Sequence, residues 1–369
     1  MSVRQVGIEE ELLLIDPATG EVAAVSDRVL RATPDNDAVV EQELFLQQLE
    51  TGTGVHWDLP DLEQDIRSAR RVAGEAALAA GAAAVAVSTA VVEPQRRSVL
   101  TPKDRYRRMM DRFGAVGRAQ LVCGMHLHVD VGSDEEAIGA FDRMRPWLPV
   151  LLALSANSPF WQGEDTGYAS WRTQVWQRWP TAGPTEPFHD AAGYQRASAA
   201  LMETGAALDE GMLYFDARPS RRYPTLELRV FDMCTDVADA VLLAGLGRAL
   251  VATCAQAWMD GEPIPEARTD LLRAATWRAS RYGITDQLVD PSTGALAPAR
   301  SVVSGLMEHV AAALAAAGDA QLVSDRTAAL FARGTGATRQ RAVAEASGGD
   351  LLTVVTDLRR RTAESWAGA

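Results

Sequence analysis

Three pairs of polar residues sit at a spacing of two inside otherwise apolar runs. They are Glu9 and Glu11 in VGIEEELLLI, His126 and His128 in LVCGMHLHVDV, and Glu227 and Arg229 in TLELRVFD. In an extended strand this spacing sends both members of a pair to one face and the residues between them to the other. The pattern predicts strands over residues 3–15, 120–131 and 225–232, with a weaker one within 82–92. It also predicts a sheet with one buried face and one face lining a wet, charged site. Asp16-Pro17-Ala18-Thr19-Gly20 reads as a hairpin turn, with residues 21–25 as its return strand.

Helical periodicity fills most of the remainder. Leu59-Pro60-Asp61 has the chemistry of a helix entry, and Leu62, Ile66, Ala69 and Ala73 form an apolar stripe on a run that reaches Ala80. Thr101 offers an N-cap with Pro102 at the first helical position. Further helices are predicted at about 134–145, 190–205, 236–260, 266–282, 298–316 and 320–332. Short strands among long helices, without a steady strand–helix–strand rhythm, predict an α+β fold rather than a doubly wound sheet. With no internal repeat and no long Pro/Gly/Ser linker, residues 1–369 are expected to form a single domain.

Composition narrows the function classes. A net charge of -13 on 369 residues argues against nucleic-acid binding, which needs a clustered basic face. The alanine-rich stretch over 73–92 contains Glu75 and follows Arg67, Arg70 and Arg71, so it is expected to be a buried helix leading into a strand or loop, not a membrane span. Cys123, Cys234 and Cys254 show neither CxxC nor zinc spacing and read as reduced thiols. With the first residues running straight into a strand, no signal peptide is read and a cytoplasmic location is expected.

The polar pairs carry the candidate chemistry. Two carboxylates brought together on a strand repel one another unless a cation neutralises them, which makes Glu9 and Glu11 candidate metal ligands. Glu43 and Glu50, seven residues apart before Thr51-Gly52-Thr53-Gly54, would share a face two turns apart on a helix. His-x-His on one strand face is a common metal-ligand arrangement, and Glu227 beside Arg229 could hold a metal and a transferring phosphoryl group respectively. Two further segments suit anion binding: Ser155-Ala156-Asn157, and Gly334-Thr335-Gly336-Ala337-Thr338-Arg339-Gln340, a glycine turn opening a helix. Trp171-Arg172-Thr173-Gln174-Val175-Trp176 is aromatic enough for an adenine or substrate wall, or for a core.

Read in order, VGIEEELLLIDPATGEV, ELFLQQLETGTGVH, CGMHLHVDVG, SANSPFWQGEDTGYASWRTQVWQRWPTAGP, TLELRVFDMCTD, ATWRASRYG and RGTGATRQR resemble the carboxylate–amine ligases of the glutamate–cysteine ligase type 2 family across nearly the whole chain. The resemblance implies a fold like the catalytic domain of glutamine synthetase, in which a curved antiparallel sheet forms a funnel backed by helices. It implies ATP and Mg²⁺ as cofactors, with Glu9, Glu11, Glu43, Glu50, His126 and Glu227 as metal ligands. Arg229 would hold the γ-phosphate, and Arg278, Arg281 and Arg339 would serve the nucleotide. Arg172 and the Ser155–Asn157 turn would meet the amino-acid substrate. The activity implied is activation of a carboxylate, the γ-carboxyl of L-glutamate, as an acyl phosphate, followed by condensation with an amine such as L-cysteine. Partners would be these small molecules, with a homo-oligomer left open.

Three other readings fit parts of the pattern. His126, His128 and a carboxylate could form a facial triad for non-haem iron, giving an oxygenase, but Glu9/Glu11 and Arg229 would then be unexplained. A nucleotide- or metal-binding regulator would be expected to have lost some of the acidic pairs. A guanidino kinase would transfer phosphoryl groups without forming an amide.

Overall fold

The computed structural model describes residues 3–33 and 40–367. Its main sheet contains β1 (Val6–Ile15), β2 (Val40–Gln42), β3 (Gln48–Gly52), β4 (Ala83–Val85), β5 (Gly124–Asp130), β6 (Ala217–Pro219) and β7 (Thr225–Asp232). The strand order is β2-β3-β1-β5-β7-β6, and β4 pairs with the end of β1. Every pairing is antiparallel. Strands and long helices alternate irregularly, as the α+β expectation requires.

The side-chain alternation does what the spacing predicts. Ile8, Glu10 and Leu12 of β1 point away from Glu9 and Glu11 and are buried, at 2%, 2% and 0% exposure. Against that apolar face lies the helix Val237–Met259. It approaches so closely that a Cβ on Gly247 would come within 2.4 Å of Leu127. This helix is long and apolar enough to cross a membrane, yet 89% of its most apolar stretch is buried inside the protein. It is a core helix, flanked by the helices Leu59–Ala79 and Asp134–Met144, which also pack on the sheet. One apolar cluster extends from Val6 to Leu358.

Several local expectations are corrected. Residues 21–25 form no strand: Val22 makes a single bridge to Ile15, and a helix starts at Ser26. Only Ala83–Val85 of the 82–92 stretch is a strand. The segment from Glu43 to Glu50 is not helical. Glu43 lies in the connection between β2 and β3, and Glu50 lies in β3, where pairing with β1 overrides the local helix spacing. The predicted helix at 298–316 is two helices, Ala299–His309 and Ala311–Ala317. Thr101 caps nothing. Its hydroxyl donates to the Glu43 carbonyl at 2.6 Å, pinning that connection, and the helix begins at Asp104. The three cysteines are free and buried.

Candidate functional site

Strand register assembles the polar face. Glu41 of β2 is opposite Glu50 of β3, and Glu50 is opposite Glu11 of β1. One step along, Glu9 faces His126 of β5. Farther across, His128 pairs with Glu227 of β7, and Glu227 with Arg218 of β6. The floor thus grades from carboxylates through imidazoles to guanidinium groups. His126 meets Glu9 through the regular β1–β5 register, while the pairing of β5 with β7 is irregular between Met125 and Leu127, where His126 also approaches Glu227.

This floor forms the base of a cavity of about 690 Å³. His126 Nδ1 is 3.2 Å from Glu9 Oε2 and 3.7 Å from Glu227 Oε1, and His128 Nε2 is 3.4 Å from Glu9 Oε1. His128 is oriented by Thr225, whose hydroxyl lies 2.9 Å from Nδ1. Arg218 Nε donates to Glu227 Oε2 at 2.9 Å, and Arg229 donates to the other Glu227 oxygen.

Charge is unevenly distributed. Burial would raise the Glu9 carboxyl, but hydrogen bonds and charge from His126 and His128 outweigh it and hold Glu9 well below the usual carboxylate range. Burial likewise opposes ionisation of Glu227, and the Arg229 and Arg218 charges override it. On the acidic side the compensation falls short: for Glu11, the Arg172 and Arg229 charges and the Gly124 amide offset burial only in part. Burial and the Glu43 charge push the Glu11 carboxyl up to about 7, and the same two causes raise Glu50 well above its ordinary range. Burial and the nearby Arg229 charge lower His126 to about 4, so its imidazole is neutral at pH 7.

These features fit a divalent cation. Ligand atoms of Glu9, His126 and Glu227 all lie within 4.8 Å of one another. His126 Nε2 is buried without a hydrogen-bond partner among the described residues. The neighbouring carboxylates repel one another in a way that a hard cation relieves.

Arg172 lies at the end of the floor, on the strand face that His126 and His128 share with Gly124 and outside the cavity lining. Its guanidinium occupies the space a side chain would take at residue 124: a Cβ on Gly124 would be 2.1 Å from Nη2. Gly124 N in turn donates to Glu11 Oε2 at 2.6 Å. The Arg172 and Arg229 guanidinium carbons lie 5.5 and 6.0 Å from the Trp176 ring, which forms part of the cavity wall with Trp179.

The structure does not bring the remaining predicted residues to this cavity. Arg278 donates to Asp286 and the Gln287 carbonyl, and Arg281 stacks over Tyr168 and Tyr282. Arg339 pairs with Asp236. The Ser155–Asn157 turn is a buried latch rather than a substrate contact. Asn157 N and the Ser158 and Ser170 hydroxyls all donate to Asp232, and Ser155 Oγ accepts from Asp232 N. Asn157 also fills the space beside Gly336, where a Cβ would meet Oδ1 at 1.9 Å.

Sequence reasoning missed one wall of the cavity. Lys103, Arg105, Tyr106, Tyr214, Arg218 and Tyr223 line it. Arg105 is held by two bonds of 2.9 Å to Asp209. The visible signal was the cationic ARPSRRYPT run immediately before β7.

The profile of glutamate–cysteine ligase family 2 matches residues 5–357. The chain belongs to glutamate–cysteine ligase family 2. A Frankia alni protein named "putative glutamate–cysteine ligase 2-2" is 51% identical over 98% of this chain and 97% of its own length. A Streptomyces coelicolor protein named "putative glutamate–cysteine ligase 2" is 49% identical over 98% of this chain and 99% of its own. The chain is therefore an enzyme of the carboxylate–amine ligase type. Solved structures share its fold. A glutamate–cysteine ligase from Francisella tularensis in complex with AMP superposes with a TM-score of 0.66 at 12% identity, over 100% of this chain and 94% of that one. A bifunctional glutathione synthetase from Pasteurella multocida gives 0.69 at 16% identity over 98% of this chain, which spans 53% of that longer protein.

Proposed function

We propose that this family member is an ATP-dependent ligase that phosphorylates the γ-carboxyl of L-glutamate and joins it to an amine, L-cysteine, giving γ-glutamylcysteine. The observation carrying this reading is the gradient of the cavity floor, with carboxylates at one side, a neutral imidazole in the middle and two guanidinium groups at the other. Glu9, Glu11, Glu43, Glu50, His126 and Glu227 would hold Mg²⁺, which supplies charge neutralisation for the β- and γ-phosphates when bound. Arg229 and Arg218 face the same space and would meet the transferring phosphoryl group, where developing negative charge is best stabilised by fixed cations. A carboxylate oxygen of glutamate attacks the γ-phosphorus and ADP departs. The amine then attacks the acyl carbon and expels phosphate while losing a proton. No covalent protein nucleophile is needed, because positioning and charge carry the reaction.

Arg172 would act on positioning, fixing Gly124 and through its amide the Glu11 carboxylate. Arg278, Arg281 and Arg339, remote from the cavity, have no part in this reading. An iron facial triad would use His126, His128 and Glu9 but leave Glu11, Glu43, Glu50 and Arg229 without a role.

The direct test is ADP release with ATP, Mg²⁺ and L-glutamate, with and without each of a panel of amines led by L-cysteine. Turnover that needs glutamate and one amine together is expected. ADP release that ignores both would sink the ligase reading.

Proton linkage gives a second prediction. Metal binds ionised Glu11, whose carboxyl stands at about 7 in the free protein. Below that pH the proton must leave before the ion enters, so Mg²⁺ affinity falls as pH falls, by roughly tenfold per unit for each proton displaced. Calorimetry at pH 6.5 in buffers of different ionisation enthalpy should show proton release on Mg²⁺ binding. Binding with no proton exchange would remove Glu11 from the ligand set.

A further inference from the structure

The RGTGATRQR segment, unused by the proposed reaction, borders a second cavity of about 360 Å³ that shares no lining residue with the first. It forms where five helices meet: Leu59–Ala79, Val237–Met259, Ala320–Arg333, Gly336–Ala346 and Leu351–Glu364. Arg67, Arg333, Arg339, Arg360 and Arg361 line it against two carboxylates, Asp236 and Glu364. Five cations against two anions leave an excess of three positive charges on the wall, in a chain whose net charge is -13. Three carboxylates outside the wall match this excess in number, Asp239 on Arg333, Glu63 on Arg67 and Asp357 on Arg360, although Glu63 is shared with Arg326.

The remaining donors converge on too few acceptors. Asp236 Oδ2 receives Arg361 at 2.8 Å and Arg333 at 3.4 Å, and Arg339 as well, three guanidinium groups on one oxygen. Arg361 is only 5% exposed. Its Nε and Nη1 are buried with no hydrogen-bond partner among the described residues, and Nη1 comes no closer than 3.6 Å to Asp357. Buried guanidinium donors without acceptors are costly, and an oxyanion with several acceptor oxygens satisfies their fixed fork. Burial and then the adjacent Arg361 charge lower Arg339 from its ordinary range, the crowding that a bound anion would relieve.

We propose that this helix-lined cavity is a binding site for a phosphate group, carried by inorganic phosphate or by the phosphate end of a nucleotide. Calorimetric titration of the full chain with inorganic phosphate, and separately with ADP, tests it at constant ionic strength set by chloride. The proteins compared are wild type, Arg339→Gln, Arg361→Met and, in the other cavity, Arg218→Gln. Saturable one-to-one phosphate binding is expected, weakened about tenfold or more by Arg339→Gln and Arg361→Met and kept by Arg218→Gln. If ADP competes with phosphate and is weakened by Arg339→Gln, a nucleotide phosphate is the source. If ADP is indifferent to that substitution, free phosphate is. No saturable phosphate binding, or binding lost only in Arg218→Gln, overturns the site. Arg339 is partly exposed, so its variant decides the matter alone should Arg361→Met fail to fold. None of these outcomes depends on the ligase assay.

Discussion

Glu227→Gln should reduce ligase turnover by roughly a hundredfold to a thousandfold or more while the protein remains folded. Glu227 is where three requirements meet. Its carboxylate lies 3.7 Å from His126 Nδ1, receives Arg218 at 2.9 Å and is bonded by Arg229. An amide of the same shape keeps an oxygen for one arginine but brings no charge for a metal ion, and it turns an N–H₂ group toward the other arginine. Folding should survive because Arg218 also donates to the Leu213 carbonyl at 3.0 Å and Glu11 remains close enough to act on Arg229. The measurement is ADP release beside circular dichroism and a thermal melt. A folded variant with wild-type turnover would remove Glu227 from the site.

The floor of this site was legible in the sequence because strand alternation is strict. Once 6–15, 124–130 and 225–232 are strands, Glu9 and Glu11, His126 and His128, and Glu227 and Arg229 must each share a face of their own strand. Register, which decides that Glu9 meets His126 and that His128 meets Glu227, is set by long-range pairing and is invisible to local pattern. The same limit explains Glu43 and Glu50, whose sevenfold spacing imitates a helix until β1 recruits Glu50 into a strand. Arg172, Arg278, Arg281 and Arg339 illustrate a different difficulty. An arginine in a motif looks the same whether it faces a ligand, props a strand or closes a helix junction. Only the partners separate these fates: Gly124 for Arg172, Asp286 for Arg278, aromatic rings for Arg281 and Asp236 for Arg339. The cationic wall escaped notice because Arg105 and Arg218 come from a helix and a short strand that carry no polar alternation of their own.

Arg70→Met should lower the stability of the protein by about 3–5 kcal/mol, the range for removing one member of a buried ion pair. Arg70 and Glu10 are 0% and 2% exposed, and Nε and Nη2 meet the two carboxylate oxygens at 2.7 Å each. The same guanidinium also donates to the Thr235 carbonyl at 2.7 Å and the Cys234 carbonyl at 2.6 Å. It therefore ties the Leu59–Ala79 helix to β1 and to the chain just beyond β7. Methionine fills much of the space, so the loss is one of charge and hydrogen bonds rather than volume: Glu10 keeps its carboxylate in the core without a counter-charge. Removing that carboxylate as well, in Glu10→Gln/Arg70→Met, should recover part of the loss, because the uncompensated charge is the dominant cost. Urea unfolding of the two variants beside wild type measures both terms. A single-variant loss below about 1 kcal/mol, or a double variant no better than the single, would mean that packing and not the ion pair holds this junction. Glu10 stands between Glu9 and Glu11 on β1, so the pair that braces the helical side of the strand also holds the two candidate ligands level on its other face.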